Sequence, residues 1–224
     1  VSDAETNILG SLNLLEEAAA MKTCRFIYIS TGGAIYGEPD YLPADEHHPI
    51  NPESNYGISK HAVEHYLYQY GRNSNLDYCI LRLPNVYGPR QNPLGEAGVN
   101  AIFIHQMLKG VTPHIFGDGE QLRDYVYVSD IVDACMTALN HCTGDIYNVG
   151  WGEGTSVNDI YRNLREIIGF REDPIYEPPR PGEVYKIYLD ATRAWRELGW
   201  KPNTPFREGL EKTVEWHRSQ DNQE

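Results

Sequence analysis

Arg25-Phe26-Ile27-Tyr28-Ile29-Ser30-Thr31-Gly32-Gly33 is a short apolar run that ends in a sharp turn. That is the signature of a buried strand closed by a breaker. Upstream of it, Ile8, Leu12, Leu15 and Ala19 recur at helical spacing, so residues 5–21 read as an amphipathic helix. Downstream, residues 38–55 are rich in Pro, Asp, Glu and Asn and read as a loop. Helix returns from Tyr56 to Tyr70, and Tyr78-Cys79-Ile80-Leu81-Arg82-Leu83 is a second strand of the buried type. Strands alternating with helices make a parallel sheet with helices on both faces. Ligands of such sheets sit beyond the carboxyl ends of the strands, which here are the turns after Ile29 and Leu83.

Further along, a Pro- and Gly-rich loop (84–95) leads to a helix at 97–109 and a strand at 114–116. A strand at 125–128, a helix at 129–139 and a strand at 145–149 follow. Ser156 with Asp159 forms a capping-box start for a helix running to Ile168. Residues 171–184 hold four of the fourteen prolines and read as a long ordered loop, before closing helices at 191–198 and 205–219.

Composition excludes several classes. The 224 residues are 41% hydrophobic, enough for a sizeable core. No run approaches the roughly 18 apolar residues of a membrane span, and Val1–Ile8 has no basic start of a secretory signal. The net charge of −13, without a Lys/Arg cluster, argues against nucleic acid as a partner. Cys24, Cys79, Cys135 and Cys142 lack CxxC spacing and read as buried reduced thiols of a cytoplasmic protein.

The chemistry centres on Tyr56-Gly57-Ile58-Ser59-Lys60. Residues four apart at a helix start share a face. A phenol is a weak base at neutral pH, and a neighbouring ammonium favours its phenolate. A Tyr–Lys pair so tuned can accept the proton of an alcohol being oxidised. A YxxxK match alone is more often two solvated side chains on a helix. Two features strengthen it: hydroxyls at Ser30 and Thr31 on the preceding strand end, and Leu83-Pro84-Asn85 at the following one.

The blocks STGGAIYGE (30–38), NYGISK (55–60), LRLPNVYGPRQNPLGEAGVNAIF (81–103), FGDGEQLRDYVYVSD (116–130), YNVGWGEGTS (147–156) and PPRPGE (178–183) follow one another in this order. In order and spacing, over almost the whole chain, they resemble the extended short-chain dehydrogenases/reductases, and among these the UDP-glucose (UDP-galactose) 4-epimerases. The resemblance implies an α/β fold: a partial Rossmann-type parallel sheet (1–88 and 117–150) with a small C-terminal nucleotide-sugar-binding α/β domain (89–116 and 151–224). It implies NAD as cofactor, a nucleotide-diphosphate sugar as substrate, and a cytoplasmic homodimer.

The same resemblance assigns roles. Tyr56 would be the acid/base and Lys60 its tuner, also holding the nicotinamide ribose. Thr31 or Ser30 would complete the triad. Asn7, Leu83 and Pro84 would lie against the cofactor. Asn85, Arg123 and Arg180 would hold the diphosphate, Glu183 the nucleoside ribose, and Val99 and Phe116 the base. Ile187 would leave room for an N-acetyl group on the sugar. Relatives that eliminate water or carbon dioxide carry an acid in the turn after the first strand. Here Gly32-Gly33-Ala34 cannot transfer a proton, which favours an epimerase that needs one base and a sugar free to turn. The rival readings are another NAD(P)-dependent nucleotide-sugar enzyme and a non-catalytic nucleotide-sugar-binding module.

Two motifs read as decoys. His61-Ala-Val-Glu64-His65 matches a zinc-protease signature but lacks a third ligand nearby, so no metal is expected. Gly150-Trp-Gly-Glu-Gly154 lacks the GxGxxG spacing of a phosphate loop. The Gly-rich loop that cradles the NAD pyrophosphate in such folds is also absent. The chain by itself is therefore expected to hold NAD poorly, to be inactive alone, and to leave a sheet edge unpaired.

Overall fold

The computed structural model describes residues 1–21, 25–94, 98–142 and 144–221. A helical segment opens at Ser2, passes through a π-type stretch at Glu5–Leu9, and continues as α1 (Gly10–Met21). Strand β1 (Phe26–Thr31) follows, then a single helical turn at Gly32–Ile35. Helix α2 (Asn55–Ser74) is capped by Ser54, whose side chain accepts from Gly57 N at 3.1 Å. It stops where Asn75 turns left-handed, at φ 57°. Strand β2 (Tyr78–Leu83) lies parallel to β1, with Thr31 opposite Leu83. Because the two strands end level, the turns that follow them lie side by side.

The main sheet has the order β1-β2-β7, all parallel, with β7 at Asp145–Asn148. Every residue of β2 is buried, as expected of a central parallel strand covered on both faces. Its alternation is visible in the packing. Ile80 joins Leu15, Tyr28, Val63 and Leu67 beneath α1 and α2. Cys79, Leu81 and Leu83 join Ile131, Ala134 and Ala138 of α4 (Val128–His141) on the other face. The outer edge of β1 has no partner strand among the described residues.

A second lobe packs α3 (Val99–Leu108), α5 (Val157–Ile168) and α6 (Phe206–Asp221) around Phe103, Ile104, Met107, Ile160, Leu164 and Leu210. The capping box at Ser156 and Asp159 is present. The helix expected from residue 97 is described from Val99, residues 95–97 lying outside the described set. Among the described residues no helix is long and apolar enough to cross a membrane.

Several expected loops contain short strands. Asn85–Tyr87 (β3) pairs with Tyr125–Tyr127 (β6), fixed where Asn85 N donates to Asp124 O at 3.0 Å. Ile175–Glu177 (β9) pairs with His114–Phe116 (β4). Lys186–Ile187 (β10) joins Leu122–Arg123 (β5), which also pairs with Thr155–Ser156 (β8). These pairings are long-range and too short to show a period of two, so the local pattern hid them. The first closing helix is a π-type turn at Ala194–Leu198, and it lies over the main sheet: Ala194, Leu198 and Trp200 pack with Leu81 and Tyr147.

The reduced-thiol expectation is corrected for two cysteines. Cys79 at the start of β2 and Cys142 at the end of α4 form a disulfide, with Cα atoms 5.7 Å apart. The cause is topological: α4 delivers the chain to β7 directly beside β2, within disulfide reach. Cys135 is free, and Cys24 lies outside the described residues.

Candidate active site

The first turn of α2 and the end of β1 build one wall of a cleft. Lys60 Nζ donates to Ile29 O at 2.6 Å, 4.7 Å from the Tyr28 ring centroid and 5.9 Å from that of Tyr56. The helix is thereby fastened to the strand at the residue before the two candidate hydroxyls. Ser30 and Thr31 then point to opposite faces, as neighbours on a strand must. Ser30 is buried, and its Oγ donates to Glu64 Oε1 at 2.6 Å inside the core. Ser30 is thus removed from the site. Thr31 lines the cleft together with Tyr56, Gly33, Ala34, Pro84 and Asn85, around a cavity of about 420 Å³.

The electrostatics of Tyr56 differ from the expectation. Burial, followed by the Asp3 carboxylate, pushes the phenol above its ordinary pKa. Lys60 Nζ is directed to the Ile29 carbonyl. Burial lowers the pKa of Lys60, against the raising effects of Asp3 and Glu64. Asp3 is held in place by Ser59 Oγ and by Asn7 Nδ2, the latter at 2.8 Å. Asn7 therefore orients Asp3 and does not line the cleft, and Leu83 is buried in the core behind it.

Through Asn85, Arg123 and Tyr125 the cleft continues into a second cavity of about 260 Å³. Val99, Phe116, Arg180 and Glu183 complete its wall, so all six residues assigned to substrate meet there. The Arg180 guanidinium stacks on the Phe116 ring at 3.9 Å. Arg123 donates to the backbone carbonyls of Leu122 (2.9 Å), Tyr185 (3.2 Å) and Val184. Neither guanidinium has a carboxylate partner among the described residues. The neighbouring Asp124 instead accepts from Trp151 N (3.0 Å), Gly152 N (3.2 Å) and Leu189 N (3.3 Å). Two forked cations thus face one cleft of a chain with charge −13, with Glu183 on the same wall.

The turn after β1 divides its glycines. A Cβ on Gly32 would lie 2.4 Å from Leu189 Cδ1, so Gly32 is required by packing. A Cβ on Gly33 would face the cleft, 3.5 Å from Asn85 Oδ1. Ile187 is buried among Ile35, Tyr36 and Leu189 behind the turn. It does not line the cleft, so, contrary to expectation, it is not what leaves room there for an N-acetyl group on the sugar.

Gln91, Asn100 and Tyr125 also line the cleft and were not anticipated. Asn100 left a trace in the sequence, as a lone amide inside the apolar run Val99-Asn-Ala-Ile-Phe-Ile104. His61 Nδ1 lies 3.2 Å from Glu64 Oε2 and His65 3.1 Å from His61. No group of three or more potential ligands forms among the described residues. The Gly150–Gly154 loop points its amides at Asp124.

Known proteins resemble this chain in sequence and in fold. The model of the NAD dependent epimerase/dehydratase family matches residues 2–150. The UDP-glucose 4-epimerase of Mycolicibacterium smegmatis is 42% identical over 218 residues, covering 97% of this chain and 70% of that protein. The crystal structure of the Thermotoga maritima UDP-glucose 4-epimerase with UDP-glucose superposes with a TM-score of 0.95 at 49% identity, over 97% of this chain and 71% of that one. The Thermus thermophilus UDP-glucose 4-epimerase complex with NAD gives 0.88 at 42% identity, over 96% and 70%.

Proposed function

The chain belongs to the NAD dependent epimerase/dehydratase family, and from that premise we propose that it is the catalytic and sugar-nucleotide-binding part of a UDP-glucose 4-epimerase. The observation that carries the reading is one continuous cleft, with Tyr56 and Thr31 at one end, Arg180 at the other and Arg123 where the two cavities meet. That layout suits a ligand with an alcohol at one end and a diphosphate further along. An acidless turn at Gly32-Gly33-Ala34 separates it from eliminating enzymes, which need a further proton donor beside the sugar.

The residues fit the nicotinamide half of NAD. Lys60 Nζ has three N–H groups and uses one on Ile29 O, so two remain for the oxygens of a ribose diol. Pro84 offers an apolar surface in the same cavity. When bound, NAD supplies a reversible two-electron acceptor and a positively charged ring that favours the Tyr56 phenolate. Tyr56 takes the proton of the sugar 4-hydroxyl and returns it to the 4-keto oxygen after the sugar has presented its other face. Thr31 orients that oxygen. Arg123 and Arg180 hold the diphosphate while the sugar turns, and Gly33 and Ala34 leave it space.

We read the residues 1–88 with 117–150 as the cofactor domain and 89–116 with 151–224 as the substrate domain, the cleft lying at their seam. The enzyme works as a cytoplasmic homodimer. Leu14 and Met21 on α1 and Ile58 and Tyr68 on α2 stay exposed and supply an apolar face for a second copy.

The test is to supply NAD and UDP-galactose to the full-length gene product and follow UDP-glucose, with Tyr56→Phe as control. Turnover that the substitution abolishes supports the reading. A folded, NAD-loaded protein without turnover moves the reading to another nucleotide sugar.

A further inference from the structure

We infer that Asn100 reads a hydroxyl group of the substrate's sugar, a role that rests on the reading above. Asn100 sits in the first turn of α3, whose other buried residues, Ala101, Phe103, Ile104 and Met107, are apolar. It is 1% exposed, yet its Oδ1 has no hydrogen-bond partner. Buried polar atoms are nearly always paired, because desolvation without a partner is costly. An orphaned amide in an otherwise apolar helix face therefore calls for a partner that arrives with the ligand.

Position says which part of the ligand that is. Asn100 lines the cavity of Tyr56, Thr31 and Asn85, whereas Arg180, Phe116 and Glu183 line the other one. The group beside Tyr56 is the reacting sugar; the nucleoside lies beyond the diphosphate. A carboxamide offers an acceptor and two donors, and a hydroxyl complements either end. A methyl or a bare hydrogen complements neither. Asn100 thus selects for a sugar hydroxyl at one ring or exocyclic position and against the sugar deoxygenated there.

The experiment uses the full-length, NAD-loaded protein and its Asn100→Leu variant, which keeps the branched heavy-atom shape and removes both hydrogen-bonding ends. Asn100→Val serves as a second apolar variant should Leu fail to fold. Calorimetry gives Kd for UDP, for UDP-galactose and for its 2-, 3- and 6-deoxy analogues, and melting gives Tm. We expect UDP to bind the variant unchanged and UDP-galactose about tenfold more weakly. One deoxy analogue should bind wild type and variant alike, and Tm should hold or rise, since no native hydrogen bond is lost. The inference is overturned if UDP and all sugars weaken equally, if none changes, or if Tm falls while the sugar preferences stay as in wild type. The two readings fail separately. A protein whose sugar selectivity depends on Asn100 but which does not epimerise retains this inference and loses the epimerase. One that epimerises with the same selectivity in the variant loses only this inference.

Discussion

Glu64 and Arg82 meet as a two-pronged buried ion pair, Oε1 to Nε at 3.0 Å and Oε2 to Nη2 at 2.7 Å. The pair joins the helix that carries Tyr56 and Lys60 to the central strand. It extends further: Ser30 of β1 donates to Glu64, Arg82 Nη1 donates to Tyr36 at 3.0 Å, and Tyr36 donates to Asn148 of β7 at 2.8 Å. One polar network therefore fixes α2 against all three strands of the sheet, directly beneath the cleft.

Glu64→Gln should leave Arg82 as an uncompensated buried cation and cost about 3–5 kcal/mol of stability. Burial alone would raise the Glu64 pKa, but His61, Arg82 and Ser30 outweigh it and hold the carboxyl at about 2. A depressed carboxyl contributes stability above its unfolded value of about 4.3, and loses it as pH falls towards the folded value. The difference in Tm between wild type and Glu64→Gln should therefore be constant above about pH 5 and shrink between pH 4 and 2. A difference independent of pH would show that the ion pair is not its source.

Asp3 offers a handle on the proposed base. It raises the Tyr56 pKa, after burial, and removing a negative charge favours the phenolate. Asp3→Asn should therefore shift the rising limb of kcat/KM to lower pH, because that limb reports the free enzyme's base. The pH profile of the variant checks this. A limb that stays in place, or moves upward, would mean that Tyr56 is not the group being titrated.

Arg123 and Arg180 should act on binding more than on turnover. Each charge-assisted contact to a phosphate contributes about 1.5–3 kcal/mol, so Ala at either position should raise KM for UDP-galactose by about tenfold or more. The inhibition constant for UDP should rise in parallel, since UDP carries the same diphosphate. Arg180→Lys should restore little, because an ammonium lacks the planar fork that stacks on Phe116.

The Cys79–Cys142 bond should appear as a linked peptide pair in non-reducing maps of the native protein. Replacing both by Ala should cost about 2–4 kcal/mol. Four free thiols titrated in denaturant without reductant would refute the pairing. Such a bond is unusual in the cytoplasm of mesophiles, while intracellular proteins of hyperthermophiles carry them.

The sequence was informative where chemistry and local pattern coincide. Tyr56 and Lys60 are fixed by helical spacing, and Ile29 and Leu83 by the ends of apolar runs, so the cleft's position followed from turns at two strand ends. It was silent where the answer depends on partners distant along the chain. Nothing local distinguishes Ser30 from Thr31; the strand's alternation and the presence of Glu64 do. Nothing near Ile187 shows that it faces Ile35 and Leu189. The Cys79–Cys142 bond and the β3–β6 pairing likewise need the tertiary fold before they can be seen.

The adjacent glycines of the first turn give the sharpest contrast. Gly33→Phe should abolish turnover while leaving Tm nearly unchanged, because its side chain would project into the cleft beside Asn85. Gly32→Ala should do the reverse. Its Cβ would press on Leu189, which is fully buried and cannot move aside, so overpacking should cost about 1–3 kcal/mol. Turnover by the folded fraction should persist, since Gly32 faces the core. If Gly33→Phe retained turnover, the sugar would not need the space above the turn. If Gly32→Ala lost turnover without losing stability, the turn would present its other face to the substrate, and the placing of Thr31 beside Tyr56 would fall with it.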